Sequence, residues 1–440
     1  MSRNSTWDYL IITAANEQQA SAYRALLDQR KNLGLIPDVK NIMVVPDPEG
    51  KRIGSGGSTI LCLLTVLDRE GTPFLEPIRT PSKRPSVFQN LRVLIIHAGG
   101  DSKRLPAYGP CGKIFLPIPG ESDQAVPLAL FDRLLPTYLK LPQNPGGKGQ
   151  IVVSTGDVLL FFDPQKVRFD REGITGLGCR ASPETAKNHG VFCADPNGRV
   201  RIYLQKPDTA EQAEKGAIDH AGKSVLDIGV FSFDGPTAER LLELCGPLKA
   251  PAGKWTWTDD FSREIERFGL DFYREICTAL GTETHWADYE RSVRRAGSGL
   301  AERHLRTIYR SLSKTPFSLC LLPQCEFLHF GTSRELVASG QELRSKNRRF
   351  SRQAPCLNIN NEISGEGKII GPDSWVEGCR VRAPLNLGGE NVVVGADVDA
   401  PTSVPPRTVL DILKGKDRKG RQVWFVRCYG IDDEIHKSEA

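Results

Sequence analysis

Long hydrophobic runs are missing from this 440-residue chain. None approaches the ~20 apolar residues that a membrane-spanning helix needs, so no span is expected. The opening MSRNSTWDYL lacks an apolar core segment, and no secretory leader is expected either. No CxxC pair occurs among the eleven cysteines, which are scattered from Cys62 to Cys428. An odd, scattered set without zinc spacing reads as reduced thiols in a cytoplasm. Charge of one sign is scarce as well. Fifty-eight Lys and Arg face fifty-three Asp and Glu, and a net +5 is too mild to argue for nucleic acid as a partner. It is compatible with an anionic small substrate without demanding one. GxxxxGK(S/T), HExxH, GxSxG and a strand-following GxGxxG are all missing, which withdraws support from the chemistries those motifs carry.

What is present is an ordinary globular composition over a length suited to two or three domains. Asp8–Thr13 reads as a strand, Glu17–Leu33 as a helix and Asn41–Val45 as a second strand, a β-α-β opening. In KRIGSGGSTILCLLTVL, Gly54, Gly56 and Gly57 precede Ser58-Thr59, which can cap a helix over Ile60–Leu67. A capped turn and a phosphate contact through Gly56 and Gly57 are both open readings there. Residues 71–90 read as a Pro- and Thr-rich loop. Helices are expected around Val126–Leu139, Asp259–Phe268 and Ala301–Leu312, and strands at Gln150–Ser154, Val200–Leu204 and Val225–Phe233. Such alternation predicts a mostly parallel sheet covered on both faces, an α/β architecture.

The most informative stretch is LRVLIIHAGGDSKRLPAYGPCGKIFLP, residues 91–117. Leu91 and Val93–Ile96 suit a buried parallel strand. The strand runs into Gly99-Gly100. Asp101 and Ser102 can start a helix, Lys103 and Arg104 follow, and Gly112-Lys113 adds a second glycine–cation pair. A strand ending in glycines and outward-facing amides suits phosphates, and two cations on a returning loop add fixed charge for a polyphosphate.

This AGG-DSKRLP-x5-GK pattern resembles the signature loop of sugar-1-phosphate nucleotidylyltransferases, commonly GGxGTRLxPLTxxxPK. It is closer to the fucose-1-phosphate guanylyltransferase branch, which also forms the front half of bifunctional fucokinase/GDP-fucose pyrophosphorylases. The GSGG(S/T) segment occurs in that branch too. Asp101-Ser102-Lys103 replaces x-Gly-Thr, and Gly112 replaces Pro, departures that bear on base and sugar choice more than on reaction class. The resemblance covers roughly the whole chain but only the transferase half of the bifunctional proteins; the glycine-rich loop of the sugar kinase is not found.

Nucleotidyl transfer needs charge neutralisation, a divalent cation with hard oxygen ligands, and in-line positioning. The resemblance implies Mg²⁺ as cofactor. Asp157, in IVVSTGDVLLFFD, follows a strand at its carboxyl end, where ligands bind in open α/β sheets, and matches the family's metal-binding Asp. Asp227, in SVLDIGVFSFD, is flanked by apolar residues and needs a partner in a strand; it resembles the acid or amide of a (D/N)-(T/I)-G element that completes the metal site and touches the sugar. A structural Asp binding a backbone amide is the rival reading. Lys206 in IYLQKP resembles the (E/Q)-K-P lysine that contacts the sugar phosphate, and Gly190 in NHGVF lies in another sugar- or nucleotide-proximal segment. By the same resemblance Gly99, Gly100 and Ser102 hold the triphosphate, and Arg104 and Lys113 neutralise the charge that develops on it. Trp255, Trp257 and Asp259-Asp260 read either as a sugar platform or as packing.

From Ile363 the period changes. Ile363, Ile369, Trp375, Val381, Leu387 and Val393 recur every six residues, with mostly small residues two places later. That repeat predicts a left-handed β-helix of two coils, closed by a hairpin of Val409–Leu413 and Val423–Cys428 around the basic turn KGKDRKGRQ. The expected domains are 1–345, a nucleotidylyltransferase domain with a Rossmann-like sheet, and 346–440, the β-helix, whose open ends could also serve a homo-oligomer. The expected reaction is GTP plus fucose 1-phosphate giving GDP-fucose and pyrophosphate. The alternatives are the same transfer with another sugar 1-phosphate or NTP, and a non-catalytic sensor or assembly subunit.

Overall fold

Apolar strands followed by amphipathic helices assemble the sheet that the sequence predicts. The computed structural model describes residues 6–71, 87–120, 125–145, 149–244, 248–249, 255–256, 260–346 and 356–434. The expected 71–90 loop, Trp257 and Asp259 therefore lie largely or wholly outside the described residues. The chain forms two compact units. One takes Met1–Gly99, Pro136–Thr155 and Leu160–Glu326; the other takes Gly100–Leu135, Gly156–Leu159 and Phe327–Ala440.

The first unit is built on a parallel-rich sheet. Its strands run in the order Phe317–Leu321, Ile174–Ala181, Ser224–Phe233, Gln150–Thr155, Arg92–His97, Trp7–Ala14 and Val39–Pro46. Ile95 sits between Ile11 and Val153 in register, and all three are fully buried. A strand lined on both faces by such residues is stable only between covering helices. Ser224–Phe233 departs from the parallel rule, running antiparallel to both neighbours. Helix Glu17–Asn32 starts where the Asn16 side chain accepts the Gln19 amide and ends before Gly34 at φ +72°. Helix Glu302–Leu312 buries Leu305, Ile308 and Leu312, the face its periodicity predicts.

One boundary moves in an instructive way. The helix expected to begin after the glycines spans Gly54–Arg69, so Gly54, Gly56 and Gly57 lie inside it and Ser58-Thr59 do not cap it. The Thr59 hydroxyl bonds back to the Ser55 carbonyl, and that of Ser58 donates to Asp47. Likewise the helix expected from Val126 begins at Leu130.

In the second unit the chain from Leu357 winds through three parallel ladders. One joins Leu357–Ile359, Trp375–Glu377, Val392–Val394 and Thr408–Lys416; another joins Glu362–Ile363, Arg380–Val381 and Asp397–Val398; the last joins Lys368–Ile370, Pro384–Leu387 and Thr402–Val404. The winding begins ahead of Ile363, so the ladders hold more turns than the two that six hexads predict. Its period is also less strict. Trp375 pairs with Val392, one place short of Val393, and Ile369 pairs with Leu385, two short of Leu387. Trp375, Val381 and Val393 are fully buried, but Ile363 is 44% exposed. Ile363 lies on a strand with a ladder neighbour on one side only, so the end of the stack leaves it to solvent. Thr408–Lys416 and Gln422–Gly430 form the antiparallel hairpin. Among the described residues no helix is long and apolar enough to cross a membrane.

Candidate functional site

Strand Arg92–His97 delivers the chain to Gly99, and here the first expectation changes. The amides of Ala98 and Gly99 both donate to the Thr13 hydroxyl, at 3.0 and 3.1 Å, so the Gly99 amide already has a partner within the protein. What Gly99 provides is closeness. A Cβ on it would stand 3.1 Å from the Ala14 carbonyl carbon. The helix expected at Asp101-Ser102 does not form either. Ser102 takes φ +48°, a left-handed conformation unfavourable for a residue with a Cβ, and Gly112 takes φ +72°. Between them the chain closes short turns, Leu105 N–H to the Ser102 carbonyl and Gly112 N–H to the Tyr108 carbonyl. The signature is thus a folded loop carrying cations rather than a helix N-terminus.

That loop is anchored within the second unit. Trp375 Nε1 donates to the Tyr108 hydroxyl at 2.8 Å, and the hydroxyl donates to Glu377 Oε2 at 3.2 Å. Arg427 donates to the Pro106 carbonyl at 3.0 Å while its guanidinium grips the fully buried Asp411 carboxylate at 2.6 and 3.0 Å. A two-pronged pair of this kind fixes direction as well as charge.

The same unit brings Lys113 to Asp157. Lys113 Nζ stands 3.2 Å from Asp157 Oδ2, with side chains 18% and 29% exposed. Two residues that the sequence reading missed extend this contact. His329 Nε2 lies 3.7 Å from the same Oδ2, and its Nδ1 faces Glu335 Oε2 at 2.9 Å. Backbone bonds tie the pieces together, Phe330 N–H to the Asp157 carbonyl and Ser333 N–H to the Arg104 carbonyl, each at 2.9 Å. Arg104 itself is exposed, as a phosphate-seeking cation must be. A lone histidine in EFLHF carries no motif, so nothing in the sequence distinguishes His329 from a surface residue.

The remaining candidates belong to the first unit. Gly56 and Gly57 give both amides to the Leu270 carbonyl, at 2.8 and 3.0 Å. A Cβ on Gly56 would meet Ile276 and Leu270 at 3.0 Å, and one on Gly57 would meet Ile265 at 3.0 Å. Their role here is close helix packing, which corrects the expectation of a phosphate contact. Asp227 and Gly190 come together on Tyr203, a residue the sequence does not single out, and Lys206 bonds to His189, the residue before Gly190. The Tyr203 hydroxyl donates to Asp227 Oδ2 at 2.7 Å, and the Gly229 amide donates to Oδ1 at 2.6 Å. A Cβ on Gly190 would fall 1.9 Å from the Tyr203 hydroxyl, so only glycine admits this ring. Lys206 sits at φ +50°, its amide bonded to the His189 carbonyl, on the wall of a cavity of about 450 Å³ that Arg274 and Arg295 also line. The left-handed conformation is one that a residue with a Cβ adopts at some cost.

Burial pushes the Asp227 carboxyl up to about 7, with the Gly229 and Tyr203 bonds pulling the other way. This bears on the expected magnesium. Mg²⁺ takes one or two carboxylates and completes its shell with water and substrate phosphate oxygens. Asp157 fits such a place, being partly exposed beside a cation that phosphate can draw away. Asp227 is buried, and both its oxygens accept hydrogen bonds within the protein, from Tyr203 and from the Gly229 amide. The sequence pairs the two as ligands, and the Gly229 amide bond to Asp227 is the contact that its rival, structural reading expects. Among the described residues no three His, Cys, Asp or Glu side chains group closely enough to hold a metal ion.

A family model described as the fucose pyrophosphorylase domain matches residues 85–440. The chain belongs to that family. Every candidate above lies in the matched domain except Gly56 and Gly57, which precede it. The chain is 29% identical to the Arabidopsis thaliana protein named bifunctional fucokinase/GDP-fucose pyrophosphorylase, covering 99% of this chain and 43% of that one. It is 27% identical to the Mus musculus fucose-1-phosphate guanylyltransferase, covering 98% and 75%. The chain thus spans less than half the length of the first relative. Among solved structures, the crystal structure of mannose-1-phosphate geranyltransferase from Thermus thermophilus aligns over 96% of this chain and 95% of that one. Identity is 13% and the TM-score 0.34, a likeness too slight to carry an argument.

Proposed function

We propose that this fucose pyrophosphorylase domain transfers a guanylyl group from GTP to L-fucose 1-phosphate. An oxygen of the sugar phosphate attacks the α-phosphorus in line, the bond to the β-phosphate oxygen breaks, and pyrophosphate leaves with the electron pair. The observation that carries the reading is the 3.2 Å contact of Lys113 and Asp157, which joins the signature cation to the expected strand-end acid in a chain of this family. The relatives' names supply the substrates.

The nucleophile is already anionic, so no covalent intermediate is required and the protein's work is positioning and charge compensation. Arg104 and Lys113 face the charge that grows on the departing phosphates. Gly100 and Ser102 hold the triphosphate, with Gly99 keeping the strand end close enough to shape the turn. Lys206, in its constrained conformation, steers the sugar phosphate, and Asp227 sets Tyr203 against Gly190 beside it. Asp157 would hold Mg²⁺, which when bound supplies further charge neutralisation on the phosphates. We assign residues 1–345 to the nucleotidylyltransferase domain, and read the parallel ladders in 346–440 as a left-handed β-helix able to support a homo-oligomer. The substrates are small anions, the setting is cytoplasmic, and neither nucleic acid nor membrane is a partner.

The chemistry is tested with GTP made chiral at the α-phosphorus by sulfur substitution. A single in-line displacement inverts that centre in the GDP-sugar product. Retention would mean two displacements through an enzyme-bound nucleotide and would overturn the mechanism.

A further inference from the structure

The segment His329–Glu335 has no place in the signature, yet it meets the Lys113–Asp157 pair at the same Asp157 oxygen that faces the lysine. Four contacts lock it. The Ser339 hydroxyl donates to the His329 carbonyl at 2.6 Å, Phe330 N–H donates to the Asp157 carbonyl, Ser333 N–H donates to the Arg104 carbonyl, and Glu335 N–H donates to the Thr332 hydroxyl at 3.0 Å. With both backbones fixed, what is left to set is the direction of the Asp157 carboxylate. The His329 ring bears on that direction, with Nε2 3.7 Å from Asp157 Oδ2. The ring is itself set from two sides. Glu335 Oε2 stands 2.9 Å from Nδ1. Gly331 lies beneath it, where a Cβ would fall 2.4 Å from His329 Cε1 and 3.1 Å from Glu335 Oε2. Burial alone would raise the Glu335 carboxyl, but His329, Thr332 and the charge of Arg104 outweigh it and leave it below its ordinary value.

We infer that His329, oriented by Glu335 over Gly331, is a positioning residue that keeps the Asp157 carboxylate turned toward Lys113, and so fixes where the lysine's charge is presented. Its kinetic consequence rests on the transferase reading; its structural consequence does not. Asp157 released from the ring would gain rotamers and loosen its hold on Lys113. The lysine would then spend less time aimed at the phosphate on which charge develops.

The test separates the two nitrogens. Asparagine at 329 carries its amide to about the Nδ1 position and glutamine to about the Nε2 position. In pyrophosphate release with GTP and fucose 1-phosphate, His329→Asn should lower kcat by roughly 10–100-fold with KM changed less than about 3-fold, the pattern of an interaction strengthened in the transition state. His329→Gln should stay within about 3-fold of the parent. Gly331→Ala, which displaces the ring without removing it, should behave like His329→Asn, as should Glu335→Gln. The His329→Asn/Glu335→Gln double variant should be no worse than His329→Asn alone, because residues acting as a unit are not additive. Trace acetylation of Lys113 in substrate-free protein, read by mass spectrometry, gives a second readout. It should be faster in His329→Asn and Gly331→Ala and unchanged in His329→Gln.

Unchanged acetylation in His329→Asn and Gly331→Ala overturns the inference, as do asparagine and glutamine variants equal to each other or to the parent in kcat. If the parent releases no pyrophosphate with any substrate pair, the transferase reading falls and the acetylation result alone decides. If the parent turns over and the variants match it in both readouts, the inference falls and the transferase reading stands.

Discussion

At the scale of single residues, the charges of the signature loop were legible because their types and spacing encode their chemistry. The side chains that organise them were not. Arg104, Lys113 and Asp157 each stand in a motif, and the structure brings Lys113 and Asp157 into contact. Lys113→Ala and Asp157→Ala are expected to lower kcat by ~10²–10³-fold, the range for removing one preorganised charge at a reacting phosphate, with the fold unchanged by circular dichroism. Near-parental turnover in either would remove its role. Asp227 teaches the opposite lesson. Its apolar flanks announced an acid needing a partner, but the sequence did not reveal that the partner was Tyr203, a long-range contact across strands. Its carboxyl is raised to about 7 in the fold, from 3.8 as the ordinary value. The unfolded chain therefore gives up this proton first as pH rises. Stability should fall from about pH 4 to about pH 7 and then level off, by an amount on the order of a few kcal/mol. Asp227→Asn should flatten that part of the urea midpoint against pH. An unaltered slope would mean the acid is ionised in the fold.

Among elements, helix Gly54–Arg69 shows how one pattern serves two physical ends. GSGGST reads equally as a capped phosphate turn and as close packing, because glycine suits both; only the partner distinguishes them, and that partner, Leu270, lies far along the chain. Gly57→Ala is expected to lose stability on the order of 1 kcal/mol. The crowding against Ile265 and Ile53, typically ~1–3 kcal/mol, outweighs the ~1 kcal/mol that alanine gains in a helix. Turnover per folded molecule should not change. Intact stability with a raised KM for GTP would restore the phosphate contact. The ladders from Leu357 were legible as a repeat because inward positions must be apolar. Their slips in register were not, since turns of unequal length leave the apolar count intact.

For the whole molecule, the second unit shows why a winding of parallel strands follows the signature loop in one chain: Trp375, Glu377 and Arg427 are the loop's anchors. Tyr108→Phe leaves the Trp375 indole N–H and the half-buried Glu377 carboxyl without their shared hydroxyl. It should cost about 1–3 kcal/mol in urea unfolding. A loss near zero would mean that the loop is held elsewhere. The central claim is the transfer itself. The measurement that reaches it most directly is pyrophosphate release, with Mg²⁺, across four NTPs against several sugar 1-phosphates. The account predicts release with GTP and fucose 1-phosphate and with no other pair. Release with a different pair would contradict the substrate, and silence from folded protein across the whole matrix would contradict the transferase.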